Sequence, residues 1–183
     1  LSAETADREV ILVQALLKGE KMDFVVQKAA ELGAACVCPI VTEHVVVRYD
    51  AKKAAAKAAR WQKIADEAAK QCGRRMLMRV APIVSLTELL WDPAYIGAAD
   101  TATVFCYEQE ERQSMRTVLG GTEARRVTLI VGAEGGFSPA EAAAVTAAGG
   151  QSVSLGHRIL RAETASLTAL AVTQYELGNL GKC

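Results

Sequence analysis

Two short loops hold most of the residues that could do chemistry. VTLIV, residues 127–131, runs into Gly132-Ala133-Glu134-Gly135-Gly136-Phe137, and SVSL, residues 152–155, runs into Gly156-His157-Arg158-Ile159-Leu160-Arg161. In open α/β sheets, ligands bind just beyond the carboxyl ends of strands, where glycine lets bare backbone approach them. The loops therefore read either as two walls of one pocket or as tight turns. Arginine is permanently charged and offers a planar fork of donors, suited to a carbonyl oxygen or a phosphate. Arg158 and Arg161 are such groups, three residues apart. Glu134 and Glu163 are the nearest carboxylates, each tunable by burial. The alternative role for an arginine here is an ordinary ion pair with Glu163 or Glu134.

The residues after the glycines exclude several familiar chemistries. A phosphate-binding P-loop needs GK[ST], whereas Phe137-Ser138 stands there; a dinucleotide fingerprint needs GxGxxG after an early strand, and none occurs. There is no GxSxG elbow, and His44 and His157 have no compelling Ser or Cys partner for triad hydrolysis. Five cysteines, with Cys36 and Cys38 two apart and no CxxC pair, do not offer zinc spacing and read as reduced thiols. No metal is expected.

The elements that must position these loops alternate between strand and helix. VILVQALL (10–17) and ACVCPIV (35–41) read as strands, with a helix between them whose Met22, Val25, Val26 and Ala29 repeat at helical spacing until Gly33. MRVAPIV (78–84), TATVFCY (101–107), VTLIV and SVSL read as further strands. Ser85 with Glu88 opens a short helix. Ser138, Pro139 and Glu141 open another, which Gly149 and Gly150 end. The last helix, about Glu163 to Leu177, is apolar on nearly every side and is expected in the core or a subunit interface. The pattern predicts an α/β fold with a mostly parallel sheet covered on both faces.

With 183 residues, about half of them apolar, the chain is expected to form one domain spanning 1–183. The opening LSAETADREV shows neither a basic nor an apolar targeting run, and no apolar stretch approaches a membrane span, so a cytoplasmic protein is expected. Net charge is zero but uneven: ten Lys/Arg fall between Arg48 and Arg79, while residues 80–111 carry six acids and no base. Lys53, Lys57 and Arg60 form a basic stripe on the helix AKKAAAKAARWQKIADEAAKQC, opposite Trp61, Ile64, Ala68 and Cys72. That stripe reads either as a solvated face or as a phosphate-contacting surface.

VGAEGGFSPAE and LGHRILRAETASLTAL closely resemble the "GPEGG…S..E" and "LG.RILR.ETA" motifs of the small-subunit ribosomal RNA (uracil-N3) methyltransferase family, the RsmE family of the SPOUT superfamily. KMDFVVQKAAELGAACVCPIVTEHVVV and RWQKIADEAAKQCGRR are similar to upstream segments of the same family, so the resemblance covers essentially the whole chain. It implies a trefoil-knotted α/β fold, S-adenosylmethionine as cofactor and an obligate homodimer. It places Gly132, Ala133, Glu134, Gly135 and Gly136 in one cofactor loop, and Leu155, Gly156, Ile159 and Leu160 in a second, with Tyr107 and Glu108 nearby.

The chain departs from the family in having Ala133 where proline is usual. Family members also carry a PUA-like β-barrel that binds RNA, ahead of the region matched by residue 1. The resemblance implies a uridine of small-subunit ribosomal RNA as the substrate. Methylating its N3 requires that the N3 proton leave and that the charge developing on the flanking carbonyls be stabilised. Arg161 is then expected to stabilise the uracil and Arg158 to hold RNA phosphate, with Ile159 and Leu160 as an apolar wall for adenine. Glu134 and Glu163 are both candidates for the base, and Lys53, Lys57 and Arg60 for RNA contacts. Two other functions stay open: methylation of another RNA position, a ribose 2′-hydroxyl or a tRNA base, and a non-catalytic RNA-binding assembly factor.

Overall fold

A computed structural model describes residues 8–181. The opening stretch read for targeting signals falls in part, at residues 1–7, outside the described residues, as does Cys183. The elements run β1 (Glu9–Ala15), α1 (Lys21–Glu31), β2 (Cys36–Val41), α2 (Ala51–Cys72), β3 (Arg79–Val80), β4 (Val84–Ser85), α3 (Leu86–Leu90), β5 (Thr101–Cys106), α4 (Met115–Leu119), β6 (Arg126–Val131), α5 (Pro139–Ala147), β7 (Gln151–Val153) and α6 (Ala162–Glu176). The seven strands form one sheet of order β3-β2-β1-β6-β5-β7, with β4 also beside β2, and every pairing is parallel.

Parallel strands covered on both faces lose the alternation of apolar and polar residues. β1 shows this directly, since its six residues after Glu9 are all buried. Trp61 anchors α2, Phe105 anchors β5, and Leu12, Leu129 and Ile130 fill the sheet centre. Helix α1 packs on α2 and α6, and α6 on α4, while α3 meets α5. The order fans out from β1, with β2 on one side and β6, β5 and β7 on the other. The carboxyl ends of the last three strands are therefore neighbours, and the loops that leave them share one edge of the sheet.

Two expectations change and one element is new. The strand expected over 78–84 is two short strands, because Pro82 lacks an N–H and interrupts the ladder. Gln62 of α2 compensates at this edge: its Oε1 accepts from Val80 N at 2.7 Å and its Nε2 donates to Met78 O at 2.9 Å. Helix α4, capped by Ser114, has no counterpart in the sequence reading, since five residues are too few to show a period. Helix α6 buries one face rather than its whole circumference, and that face includes Ser166, Thr173 and Gln174; Leu167, Ala171 and Val172 lie half-buried on the other side. The capping boxes at Ser85 and Ser138 form as expected.

Candidate cofactor and RNA site

At the carboxyl ends of β5, β6 and β7 lies an open cavity of about 880 Å³. The loop after β6 is shaped by close approaches that glycine accommodates without displacing its neighbours. A Cβ on Gly132 would lie 3.3 Å from the backbone of Gly136 and from the Phe137 ring, and Gly136 itself has φ +65°. A turn closes between them, Gly136 N donating to Ala133 O at 3.0 Å. Phe137, buried and packed edge-on against Phe105 at 6.2 Å, pins the loop's far end to β5. After β7 the chain turns at Gly156, φ +108°, and crosses the mouth of the cavity towards Arg161, the N-cap of α6.

The loop after β6 is held by groups from the first quarter of the chain, three side chains and one backbone N–H. Gln14 Nε2 donates to Gly132 O at 3.3 Å. His44 Nδ1 lies 2.8 Å from Gly135 O. Glu134 Oε1 accepts from Lys18 N at 3.2 Å and from Lys21 Nζ at 3.1 Å. Burial works to raise the Glu134 carboxyl, but the backbone N–H groups and Lys21 outweigh it and hold it below the usual carboxylate range. The hydrogen bond to Glu134 in turn raises the Lys21 ammonium above its ordinary value. Lys21 Nζ also lies 3.5 Å from Glu163 Oε2, an ion-pair separation without hydrogen-bond geometry, and that oxygen is buried with no hydrogen-bond partner.

These contacts explain why the two arginines stand free. Glu134 and Glu163, the carboxylates nearest in sequence, pair with Lys21 instead, and among the described residues neither Arg158 nor Arg161 forms an ion pair, although Glu108, Glu110 and Glu111 also line the cavity. Both are exposed and line the cavity. Tyr107, Gly132, Ala133, Glu134, Gly136, Leu155, Gly156, Ile159 and Leu160 also line it, so the two loops enclose one space. Gly135 and Glu163 do not; Gly135 faces His44, and Glu163 stands behind Lys21. Ile159 reaches only the rim, 94 % exposed, because the loop projects away from the sheet, so the apolar lining of the floor comes from Val131, Phe137, Val153 and Ala165. Cys106 also lines the cavity, and burial pushes its thiol up to about 12, so it is a neutral wall rather than a nucleophile.

The basic stripe on α2 is divided. Lys53 and Lys57 sit over the Tyr49 ring at 5.5 and 5.8 Å. Arg60 instead turns onto α1, its Nη2 2.5 Å from Asp23 Oδ2, beside the 2.9 Å bond from Trp61 Nε1 to Asp23 Oδ1. Burial favours the protonated Asp23, but Arg60 and Trp61 overcome it and hold the carboxyl below its usual range. None of the three basic residues lines the cavity.

Lys21 is among the site residues that the sequence reading missed, with Cys106, Val131, Phe137, Val153 and Ala165 of the cavity wall. The rule that drew attention to the loops after β6 and β7 applies equally to the loop after β1, which ends at Lys21, and that signal was present in the sequence.

The chain matches the RNA methyltransferase domain family over residues 4–174. It belongs to that family. It is 36% identical over 169 residues to the ribosomal RNA small subunit methyltransferase E of Bacillus subtilis, covering 92% of this chain and 66% of that protein. It is 32% identical to the protein of the same name from Synechocystis, covering 88% of this chain and 52% of that protein. The chain thus spans about half to two thirds of the length of these relatives. Among solved structures, the ribosomal RNA small subunit methyltransferase E from Neisseria gonorrhoeae bound to S-adenosyl methionine superposes with a TM-score of 0.80 at 32% identity, over 91% of this chain and 65% of that one. Family membership agrees with the resemblance carried by the two loops, and the parallel α/β sheet is the fold class expected from it. No helix among the described residues is long and apolar enough to cross a membrane.

Proposed function

We propose that this chain is the methyl-transferring domain of an S-adenosylmethionine-dependent enzyme that methylates the N3 of a uridine in small-subunit ribosomal RNA. The observation that carries the reading is the pair of glycine loops enclosing one cavity, with Arg158 and Arg161 at its mouth and unpaired. The cavity suits the cofactor chemically. Bare backbone at Gly132, Gly136 and Gly156 offers polar edges for a purine and ribose, and Val131, Phe137, Val153 and Ala165 give an apolar floor. When bound there, S-adenosylmethionine supplies an electrophilic methyl group.

Binding, orientation and proton transfer then fall to the chain's own residues. Arg161, fixed at the entrance to α6, donates to the uracil carbonyl on which negative charge develops as the N3 proton leaves. Arg158 holds the RNA backbone. Lys21 keeps Glu134 ionised and extended, which makes Glu134 a loop anchor and a weak base. Glu163 retains an oxygen without a hydrogen-bond partner, 3.5 Å from Lys21 Nζ, and stays the second candidate for the proton acceptor. Lys53 and Lys57 extend the phosphate-contacting surface, whereas Arg60 is committed to Asp23.

The half-buried apolar side of α6, with Ile159 beside its entrance and Tyr175 exposed at its far end, supports a homodimer that covers this face. A ribosomal substrate supports a cytoplasmic location. The test is titration of the chain with S-adenosylmethionine, followed by methylation of unmodified small subunits and nucleoside mass spectrometry. N3-methyluridine is expected. A 2′-O-methyl product would overturn the uracil assignment, and absence of cofactor binding would overturn the site.

A further inference from the structure

A central strand buried on both faces has no use for an amide, because a polar group taken from water costs free energy unless every hydrogen bond is replaced. Gln14 nevertheless sits near the carboxyl end of β1 with 0 % exposure, beside Val131 of β6 in the sheet register. Its amide is fully employed. Nε2 donates to Ala15 O at 3.0 Å and to Gly132 O at 3.3 Å, and Oε1 accepts from the hydroxyl of Ser166. Ser166 is likewise fully buried, in the second turn of α6, with its hydroxyl 2.8 Å from Ala162 O as well. One side chain of β1 therefore touches both halves of the cavity: the first residue of the glycine loop and the helix that begins at Arg161.

We infer that Gln14 is a positioning residue of the site. It fixes the separation between the Gly132–Gly136 loop and the Arg161 end of α6, acting through Gly132 O on one side and Ser166 on the other. The inference rests on the reading of the cavity as an S-adenosylmethionine site. Other tethers to the glycine loop reach it from the surface: His44, Lys18 and Lys21 are contacts that solvent can weaken. Lys21 also joins the loop to α6, through Glu134 and Glu163, but from a partly exposed position; the Gln14 tether is the dry one, and it sets the loop's register on the helix.

Gln14→Met keeps the length and volume of the side chain and removes the amide. Ser166 keeps its bond to Ala162 O, whereas Gly132 O loses its side-chain donor and carries the cost of an unmet buried hydrogen bond. The melting temperature of the full chain should therefore fall by no more than about 10 °C, while its Kd for S-adenosylmethionine by isothermal titration rises about tenfold, the scale of one lost charge-free tether at a site whose geometry matters. Ser166→Ala, a minimal change that folds readily, should weaken binding in the same direction by a smaller factor. The double variant should bind no more weakly than Gln14→Met alone, since both changes cut one connection. Unchanged affinity in Gln14→Met, a fall in melting temperature at constant affinity, or independent, multiplying losses in the double variant would each overturn the inference. If the unsubstituted chain binds and the variants bind equally, only this inference falls; if the unsubstituted chain does not bind, the site reading falls and takes the inference with it.

Discussion

Gly135→Ala tests how tightly the glycine loop is wedged against the segment after β2. A Cβ at Gly135 would lie 2.8 Å from the Cβ of His44 and 3.4 Å from its Cγ. Carbon atoms pack at about 3.5–4.0 Å, so roughly 1 Å must be found. His44 cannot supply it by rotating its ring, because its Cβ rides on the backbone. One loop must move, at about 1–3 kcal/mol for an overpacked contact. The movement also disrupts the 2.8 Å hydrogen bond between His44 Nδ1 and Gly135 O, worth about 0.5–1.5 kcal/mol. The sum is about 1.5–4.5 kcal/mol, and if the loop absorbs it, S-adenosylmethionine binding by isothermal titration weakens by at least about tenfold and up to about a thousandfold. The partner substitutions separate the two contributions. His44→Ala keeps the offending Cβ and only removes the hydrogen bond, so it should cost less than tenfold by itself and leave Gly135→Ala impaired. His44→Gly removes the Cβ and should restore most of the lost affinity in the double variant. Wild-type affinity in Gly135→Ala, or equal rescue by His44→Ala and His44→Gly, would refute the steric account.

Other contacts carry further expectations. Arg161→Ala should abolish methylation of small subunits while leaving S-adenosylmethionine affinity within about twofold, because Arg161 stands at the mouth and anchors no part of the glycine loop; normal turnover would remove it from the mechanism. The Glu134–Lys21 clamp has a defined pH window: the depressed Glu134 carboxyl contributes above its unfolded value near 4.5 and is lost as pH falls through its lower folded value, whereas the raised Lys21 ammonium contributes below 10.5 and is lost as pH rises through its higher one. Cofactor affinity measured between about pH 6 and about pH 9 should therefore be flat with respect to this pair, and Lys21→Met should weaken binding across that whole range. Arg74 donates from Nη1 to Ala30 O at 2.9 Å and Ala34 O at 2.8 Å, closing the end of α1; Arg74→Met should cost about 2 kcal/mol and lower the melting temperature by about 4–8 °C without changing cofactor affinity.

Much of the architecture could be read from local signals because those signals are strong where the chain needs them. The boundaries of α2 coincide with AKKAAAKAARWQKIADEAAKQC because Asp50 caps its first turn and Gly73, at φ +74°, ends it. Ser138-Pro139-Ala140-Glu141 fixes the start of α5 in the same way. The glycine loops were legible because glycine after an apolar strand run has few purposes. Their tethers were not, since each joins residues about 90 to 150 positions apart: Lys21 to Glu134, His44 to Gly135, Gln14 to Ser166. The carboxyl end of β1 pointed to the segment that carries Lys21, but nothing within that segment distinguishes Lys21 from Lys18. Gln14 carried the one local hint, a polar residue inside VILVQALL where a doubly buried strand should have none.

A site made of backbone has a particular weakness, and the distribution of tethers addresses it. Glycine lets the loop after β6 fold onto Gly136 and face a ligand with its own amides, but the same freedom leaves it with many conformations to lose on ordering. Side chains within the loop cannot correct this, since it has only Ala133 and Glu134. The correction comes from β1, α1 and the segment after β2, which hold Gly132 O, Glu134 and Gly135 O in turn. The loop after β7 lacks comparable side-chain tethers; Ser154 Oγ accepts from Gly156 N at 3.2 Å, and Ile159 stands free. The two walls should therefore differ in dynamics. Amide hydrogen exchange should find residues 132–136 protected without ligand and residues 157–160 exchanging freely, with protection of the second loop arising only when S-adenosylmethionine or a second copy of the chain covers it. Equal protection of both loops in the unliganded chain would mean that the tethers from β1, α1 and the segment after β2 are not what orders the first.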